Sequence, residues 1–340
     1  MAKKQITIPV FVPHMGCPHR CAFCNQWKTS GAERIPHGRL IQEQVERYAS
    51  SIKRSVTRIE LAFFGGSFTG INEEKQTELL EAVLPFRKSG FVHAIRISTR
   101  PDYIDENKLS LLARFGVTTI ELGAQSFSDD VLTASFRGHS AEDTVRAARL
   151  IREKGFDLVI QLMPGLPLDT RELSVFSALK AVELNPSSVR IYPTVVMAGT
   201  ELARLFSSGN YSPLSLEEAI GTCKEMYLIF KNSGIPVIRM GLHPLGPEEQ
   251  TDILAGPYHP AFGFLVKSRV KRDELANLIG EHLRHTTPTG IHLSLPARDS
   301  EEYIGHRKSN ILYLKEHFGL ERLEYRIEKT AAPAIHALEG

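Results

Sequence analysis

The sequence predicts an α/β protein: a partial or full parallel (β/α) barrel followed by a small C-terminal α+β appendage. Three observations carry this expectation. Short β-branched apolar runs alternate with longer segments of helical period from about residue 6 to residue 240. Those runs are apolar enough to be covered on both faces, as parallel strands are. A seam rich in glycine, proline and histidine at 243–263 then interrupts the alternation, and a different pattern follows it.

Strands are predicted at 6–12, 58–64, 94–99, 118–123, 157–162 and 188–192. Between them, 42–53, 74–88, 141–154 and 173–184 place apolar residues three and four apart, the spacing of one helix face. Each helix returns the chain to begin another parallel strand, and six such units in series curl into a barrel. In that architecture chemistry gathers at the carboxyl ends of the strands. Beyond the seam, 272–284 and 300–318 are predicted helical, 290–295 and 323–327 extended, and 330–340 a loose tail. The expected organisation is a barrel domain over 1–242 and a small α+β domain over 243–340.

At 340 residues and 42% hydrophobic content the chain can bury a large core. Basic residues number 41 against 39 acidic, so global charge neither requires nor excludes a nucleic-acid partner, and any such site must be a local patch. There is no stretch of eighteen apolar residues and no leader-like start, which predicts a cytoplasmic protein with no membrane partner. Three of the four cysteines fall within eight residues, a clustering that reads as metal or redox chemistry rather than a disulfide framework.

That cluster, GCPHRCAFCNQ, sets Cys17, Cys21 and Cys24 in a CxxxCxxC arrangement directly after the first strand. Two readings stay open on spacing alone. A structural zinc would close its shell with a fourth ligand, His14 or His19. A four-iron cluster held by three thiolates would leave one iron free to chelate a small molecule.

Other unusual residues fall at later strand ends. Gly65 and Gly66 follow the second strand in FFGGSFTG, Ser98 and Arg100 the third in ISTRPDYID, and Gln125 the fourth in ELGAQS. Arg137 stands in FRGHS at a helix entry, with a guanidinium fork suited to a carboxylate, and Gln161 lies in the fifth strand. Each has a plainer reading: a tight turn for the glycines, solvated arginines, unremarkable amides.

Taken in order, these motifs resemble the radical S-adenosylmethionine superfamily. GGSFTG, STRPDYID, ELGAQSFSDDVL, RGHSAEDTVRAARLIREKGFDLVIQLMPGLP and RIYPTVVMAGTEL are most similar to the radical domain of the elongator catalytic subunit, over roughly 9–240. The resemblance implies a [4Fe-4S] cluster on Cys17, Cys21 and Cys24. It implies S-adenosylmethionine bound by the open iron and by Gly65, Gly66, Ser98, Arg100, Gln125, Arg137 and Gln161, with Arg137 on the methionyl carboxylate. It implies reductive cleavage to a 5′-deoxyadenosyl radical that abstracts a substrate hydrogen, with the electron from a donor such as flavodoxin or ferredoxin. No catalytic residue beyond these is assigned.

Three departures limit what carries over. The elongator subunit spaces its first cysteines more widely than Cys17 and Cys21, Ser67 replaces the usual acidic residue after the glycines, and its acetyltransferase domain falls outside these 340 residues. Wobble-uridine carboxymethylation is therefore not carried over.

The later segment EEYIGHRKSNILYLKEHFGLERLEYRI resembles a KH-type helix–loop–helix, an RNA-binding element whose GxxG loop clamps phosphates. Here Gly305 precedes His306, Arg307 and Lys308, so basic side chains replace the second glycine. The expected function is radical chemistry in RNA modification, with tRNA or another RNA as partner. The alternatives are the same chemistry on a small metabolite or a protein, and a zinc-stabilised, non-catalytic RNA-binding protein.

Overall fold

The computed structural model describes residues 4–27, 34–52, 56–286, 288 and 290–338. Its main sheet begins with β1 (Lys4–Phe11), β2 (Val56–Phe64), β3 (Ala94–Thr99), β4 (Thr119–Gln125), β5 (Asp157–Leu162) and β6 (Ser188–Ile191). A short β7 (Val196–Met197) leaves the sheet, and β8 (Val237–Met240) completes it as the seventh strand. Every neighbouring pair is parallel and spatial order follows chain order, so the sheet curls into a half-barrel with β1 and β8 as its two edges.

Packing explains the elements. Leu61, Ile95, Ile97, Ile120, Leu122, Leu158 and Ile160 are all fully buried in the main core. The helix Ala141–Glu153 turns Ala147, Ala148 and Ile151 onto that core and starts with a capping box between Ser140 and Asp143. Leu216–Asn232 starts the same way, with Ser215 and Glu218. Reciprocal caps of this kind satisfy backbone N–H groups that a helix start leaves without partners.

Several boundaries differ from expectation, each for a physical reason. The predicted helix 74–88 is two helices, Glu73–Glu81 and Leu84–Lys88, with Pro85 in the first turn of the second. β8 has no predicted counterpart, because an edge strand of only four residues, VIRM, with one buried, is too short to show a period. The helix predicted at 272–284 starts at Phe262 and runs to Leu283. It serves two cores: Phe262 and Val266 pack into the barrel, Leu275 and Ile279 into the smaller C-terminal core, so no single apolar stripe marks it.

The C-terminal sheet centres on β10 (Gly290–Pro296), which pairs parallel with β11 (Arg322–Glu328) and antiparallel with β12 (Ala334–Leu338). β12 occupies the stretch expected as a loose tail. The predicted helix 300–318 is interrupted at Gly305, giving Ser300–Ile304 and Ser309–His317 around an exposed basic turn. β7 pairs antiparallel with β9 (Ile253–Ala255) inside the predicted seam. Among the described residues, no helix is long and apolar enough to cross a membrane.

Candidate active site

Because all seven strands run one way, the loops that follow them meet over one end of the half-barrel. They enclose a cavity of about 740 Å³. Cys17, Cys21 and Cys24 line it together with Gly65, Gly66, Ser98, Arg100, Gln125, Arg137 and Gln161. These ten residues therefore face one space, whereas the basic turn 306–308 lies outside it.

The cysteine loop leaves β1 through a backbone-packed turn. Val12 N–H donates to Phe64 O at 2.8 Å and Ser67 N–H to Met15 O at 2.7 Å. Gly16 has a left-handed φ of 70°, and a Cβ there would lie 2.1 Å from Ser67 O, so only glycine lets the two loops cross. Farther along, Ala22 N–H donates to Ser135 O at 3.0 Å and Ala22 O accepts from Leu202 N–H at 2.7 Å. The loop is thus tied down on several sides.

Gln26, which sequence reasoning missed, closes the assembly. Its Oε1 accepts from His14 N–H at 2.5 Å and from Gly66 N–H at 2.6 Å, latching the end of the cysteine loop to the turns after β1 and β2. A lone amide two residues past a cysteine carries no signal that would have marked it.

The donor set suits a cationic cluster. Burial, followed by the charges of the neighbouring thiols, pushes Cys17 up to about 11 and Cys24 up to about 12. Thiols that raise one another in this way ionise together only around a positive centre, and a metal cluster supplies one. Arg137 adds a donor: its Nη1 lies 3.0 Å from Cys21 Sγ and its Nη2 donates to Gly123 O at 2.6 Å. The Nε2 atoms of the two candidate zinc ligands already have partners: His14 Nε2 accepts from Gln26 N–H at 3.1 Å and His19 Nε2 lies 2.8 Å from Phe136 O.

The paired glycines divide their work. A Cβ on Gly66 would meet Met15 O at 2.4 Å, so Gly66 packs against the cysteine loop. One on Gly65 would approach nothing nearer than Gln26 Oε1 at 3.4 Å, which leaves its backbone open to the cavity.

Around the rim, Arg100 is buried and held by Asp102 through Nε at 2.9 Å and Nη2 at 2.8 Å. Ser67, in the place where an acidic residue is usual, is buried too; its hydroxyl lies 2.9 Å from Thr99 Oγ1 and accepts from Arg100 N–H. Gln125 is left-handed at φ 68°, and its Oε1 accepts from Gln161 Nε2 at 3.1 Å, so these two amides act as a pair. Ser98 Oγ and Arg137 Nε are buried without a hydrogen-bond partner among the described residues. Groups of that kind fit a site built to receive a polar ligand.

Below the rim the inner face of the sheet is charged. Arg96 binds Glu60 through Nε at 3.1 Å and Nη2 at 3.2 Å, and its Nη1 lies 3.5 Å from Glu121. Arg190 Nε is 3.0 Å from the same Glu121 carboxylate, and Arg190 Nη1 donates to Tyr192 OH at 2.9 Å. Closed barrels fill this region with branched apolar side chains. Sequence reasoning missed the network, although its signal was present: single charges at Glu60, Arg96, Glu121 and Arg190 inside strands otherwise apolar on both faces.

Comparison with known proteins gives the family and the fold. The family model described as the Radical SAM superfamily matches residues 11–175, and the Radical_SAM C-terminal domain matches 186–272. A tRNA uridine(34) acetyltransferase of Methanocaldococcus infernus is 33% identical over 200 residues, covering 52% of this chain and 36% of that protein. Elongator complex protein 3 of Mus musculus is 28% identical over 218 residues, 55% of this chain and 40% of the relative. The chain thus matches well under half the length of these relatives. The solved archaeal Elp3 of M. infernus, lacking residues 1–46, superposes with a TM-score of 0.63 at 24% identity, over 81% of this chain and 64% of that one. The protein belongs to the radical S-adenosylmethionine superfamily, as an iron–sulfur enzyme whose cofactors are a [4Fe-4S] cluster and S-adenosylmethionine.

Proposed function

We propose that this cytoplasmic enzyme modifies RNA, with tRNA as substrate, by radical chemistry begun in the half-barrel. When bound, the cluster and S-adenosylmethionine would supply one-electron radical chemistry directed at a hydrogen of the substrate. The observation that carries this reading is the convergence of Cys17, Cys21, Cys24, Gly65 and Arg137 on one cavity whose inner wall is charged.

The chain's own residues hold and enclose. Cys17, Cys21 and Cys24 would ligate the cluster, Gly65 would offer its backbone to the methionyl end, and Arg137 would take the carboxylate while steadying Cys21. Gln125 and Gln161 form a paired amide wall for the ribose or adenine. Ser98 and Arg100 complete the rim. A donor such as flavodoxin or ferredoxin would supply the electron.

RNA as substrate is supported by the similarity to a tRNA uridine(34) acetyltransferase and by the basic turn His306–Lys308 between two helices of the appendage. The test is anaerobic: reduced, cluster-loaded protein is given S-adenosylmethionine with and without unfractionated tRNA, and 5′-deoxyadenosine is quantified. Stimulation by tRNA, with deuterium from labelled RNA appearing in 5′-deoxyadenosine, is expected. Cleavage that tRNA never stimulates turns the assignment to a metabolite or protein substrate.

A further inference from the structure

The charged inner wall alternates in sign across the sheet, from Glu60 to Arg96 to Glu121 to Arg190, each within ion-pair distance of the next. The alternation then breaks. Arg239 on β8 is the register partner of Arg190 and lines the same cavity. Its Nε donates to Gly241 O at 3.0 Å, and it has no carboxylate partner among the described residues. A second arginine therefore ends the series where a carboxylate would have continued it.

Its position gives that unmatched charge a use. β8 and β1 are the two edges of the half-barrel, so Arg239 stands at one lip of its side opening and Phe11 of β1 at the other. Phe11 is half-buried, with its ring 6.3 Å from that of Phe64, and Phe64 in turn carries Arg190 over its face at 4.9 Å. Of the four arginines lining the cavity, Arg100 is offset by Asp102, Arg190 by Glu121, and Arg137 by Cys21 and the carboxylate assigned to it above, which leaves Arg239 as the one without an anionic partner among the described residues. The balance favours an anion.

We infer that the side opening is a nucleotide subsite, in which Arg239 binds a phosphate and Phe11 stacks the adjoining base. A guanidinium fork matches phosphate geometry, and an aromatic face accepts any base. This inference deepens the RNA reading and rests on it.

The experiment uses the cluster-loaded full chain, with unfractionated tRNA and uridine 5′-monophosphate as separate probes. In Arg239→Gln, the tRNA concentration for half-maximal stimulation of S-adenosylmethionine cleavage should rise about tenfold, the usual consequence of deleting a hydrogen bond to a charged group. Cleavage without RNA should be unchanged. Uridine 5′-monophosphate should raise the thermal midpoint of the parent and not of Arg239→Gln, while Arg239→Lys, which keeps the charge, should recover part of both effects. Phe11→Leu should weaken both probes while leaving RNA-free cleavage intact.

If Arg239→Gln responds to both probes as the parent does, or loses RNA-free cleavage, the subsite is overturned. The same holds if neither probe affects the parent. Stabilisation of the parent alone by the mononucleotide, without stimulation by tRNA, would keep the subsite and overturn the RNA reading.

Discussion

Arg137 links a cluster ligand to the strand ends: Nη1 reaches Cys21 Sγ at 3.0 Å while Nη2 is fixed on Gly123 O at 2.6 Å. The guanidinium is buried, and its Nε has no partner among the described residues. Arg137→Ala should weaken S-adenosylmethionine binding by about 1.5–3 kcal/mol, the worth of a hydrogen bond to a charged group. Iron content should stay near that of the parent, because the three thiolates remain. Equilibrium binding to anaerobic protein checks this, and parent-like affinity would remove Arg137 from the carboxylate.

The cysteines should separate cleanly. The parent is expected to bind about four irons and four sulfides, and the triple alanine variant of Cys17, Cys21 and Cys24 none. Cys223 is fully buried inside the helix Leu216–Asn232, where burial alone pushes its thiol up, and behaves as a small hydrophobe. Cys223→Ala should keep its iron and lose a little stability. Iron and sulfide assays with thermal melts would decide, and zinc instead of iron after anaerobic reconstitution would refute the cluster.

Much of this site was legible because cofactor loops combine rare residue types at fixed spacing: three cysteines, a glycine pair after a strand, an arginine at a helix entry. The half-barrel was legible because short strands rich in β-branched and apolar residues alternate regularly with segments of helical period. What escaped was decided by partners distant in sequence. Gln26 matters only because its oxygen meets the N–H groups of His14 and Gly66, and the helix from Phe262 lacks one stripe because it packs into two cores. β8 is short and half-exposed, so its strand character comes from pairing with β6.

The two glycines after β2 should fail differently. Gly66→Ala would set a methyl 2.4 Å from Met15 O at a φ of 57°, forcing the cysteine loop away, so cluster loading should collapse. Gly65→Ala meets nothing nearer than 3.4 Å and bears mainly left-handed strain of about 1–2 kcal/mol. It should load iron and bind S-adenosylmethionine less tightly, as its methyl enters the cavity. Equal iron loading in both variants would disprove the division of roles.

His139 gives the fold a pH dependence. Burial, and then the charge of Arg137, lowers its imidazole from 6.5 to about 3. Above the unfolded value neither state is protonated and stability is complete. As pH falls below it, the unfolded chain takes up a proton the folded chain refuses, so stability declines between about 6.5 and 3. Near pH 5 the loss is about 2 kcal/mol. Denaturant melts of parent and His139→Asn should show a shallower acid slope in the variant. Parallel slopes would mean that the imidazole is not held neutral.

The basic turn of the appendage should reveal itself through salt. Arg307 and Lys308 are exposed and adopt left-handed φ values of 51° and 63°, unusual for such residues. Behind them Asn310 is buried, and its Nδ2 donates to Ser268 O at 2.9 Å and Glu302 O at 3.0 Å. The turn is therefore held out on a fixed base, and losing its two cations should leave the fold intact. Each single-strand phosphate neutralised contributes about −0.7 to the slope of log affinity against log salt. If both side chains contact phosphate, Arg307→Ala with Lys308→Ala should flatten that slope by about 1.4 and weaken tRNA binding at low salt. Cluster loading and RNA-free S-adenosylmethionine cleavage should match the parent, since neither residue lines the cavity. tRNA binding titrations across ionic strengths, run on both cluster-loaded proteins, provide the check. An unchanged slope would make this turn an ordinary solvated one and move RNA capture elsewhere on the chain.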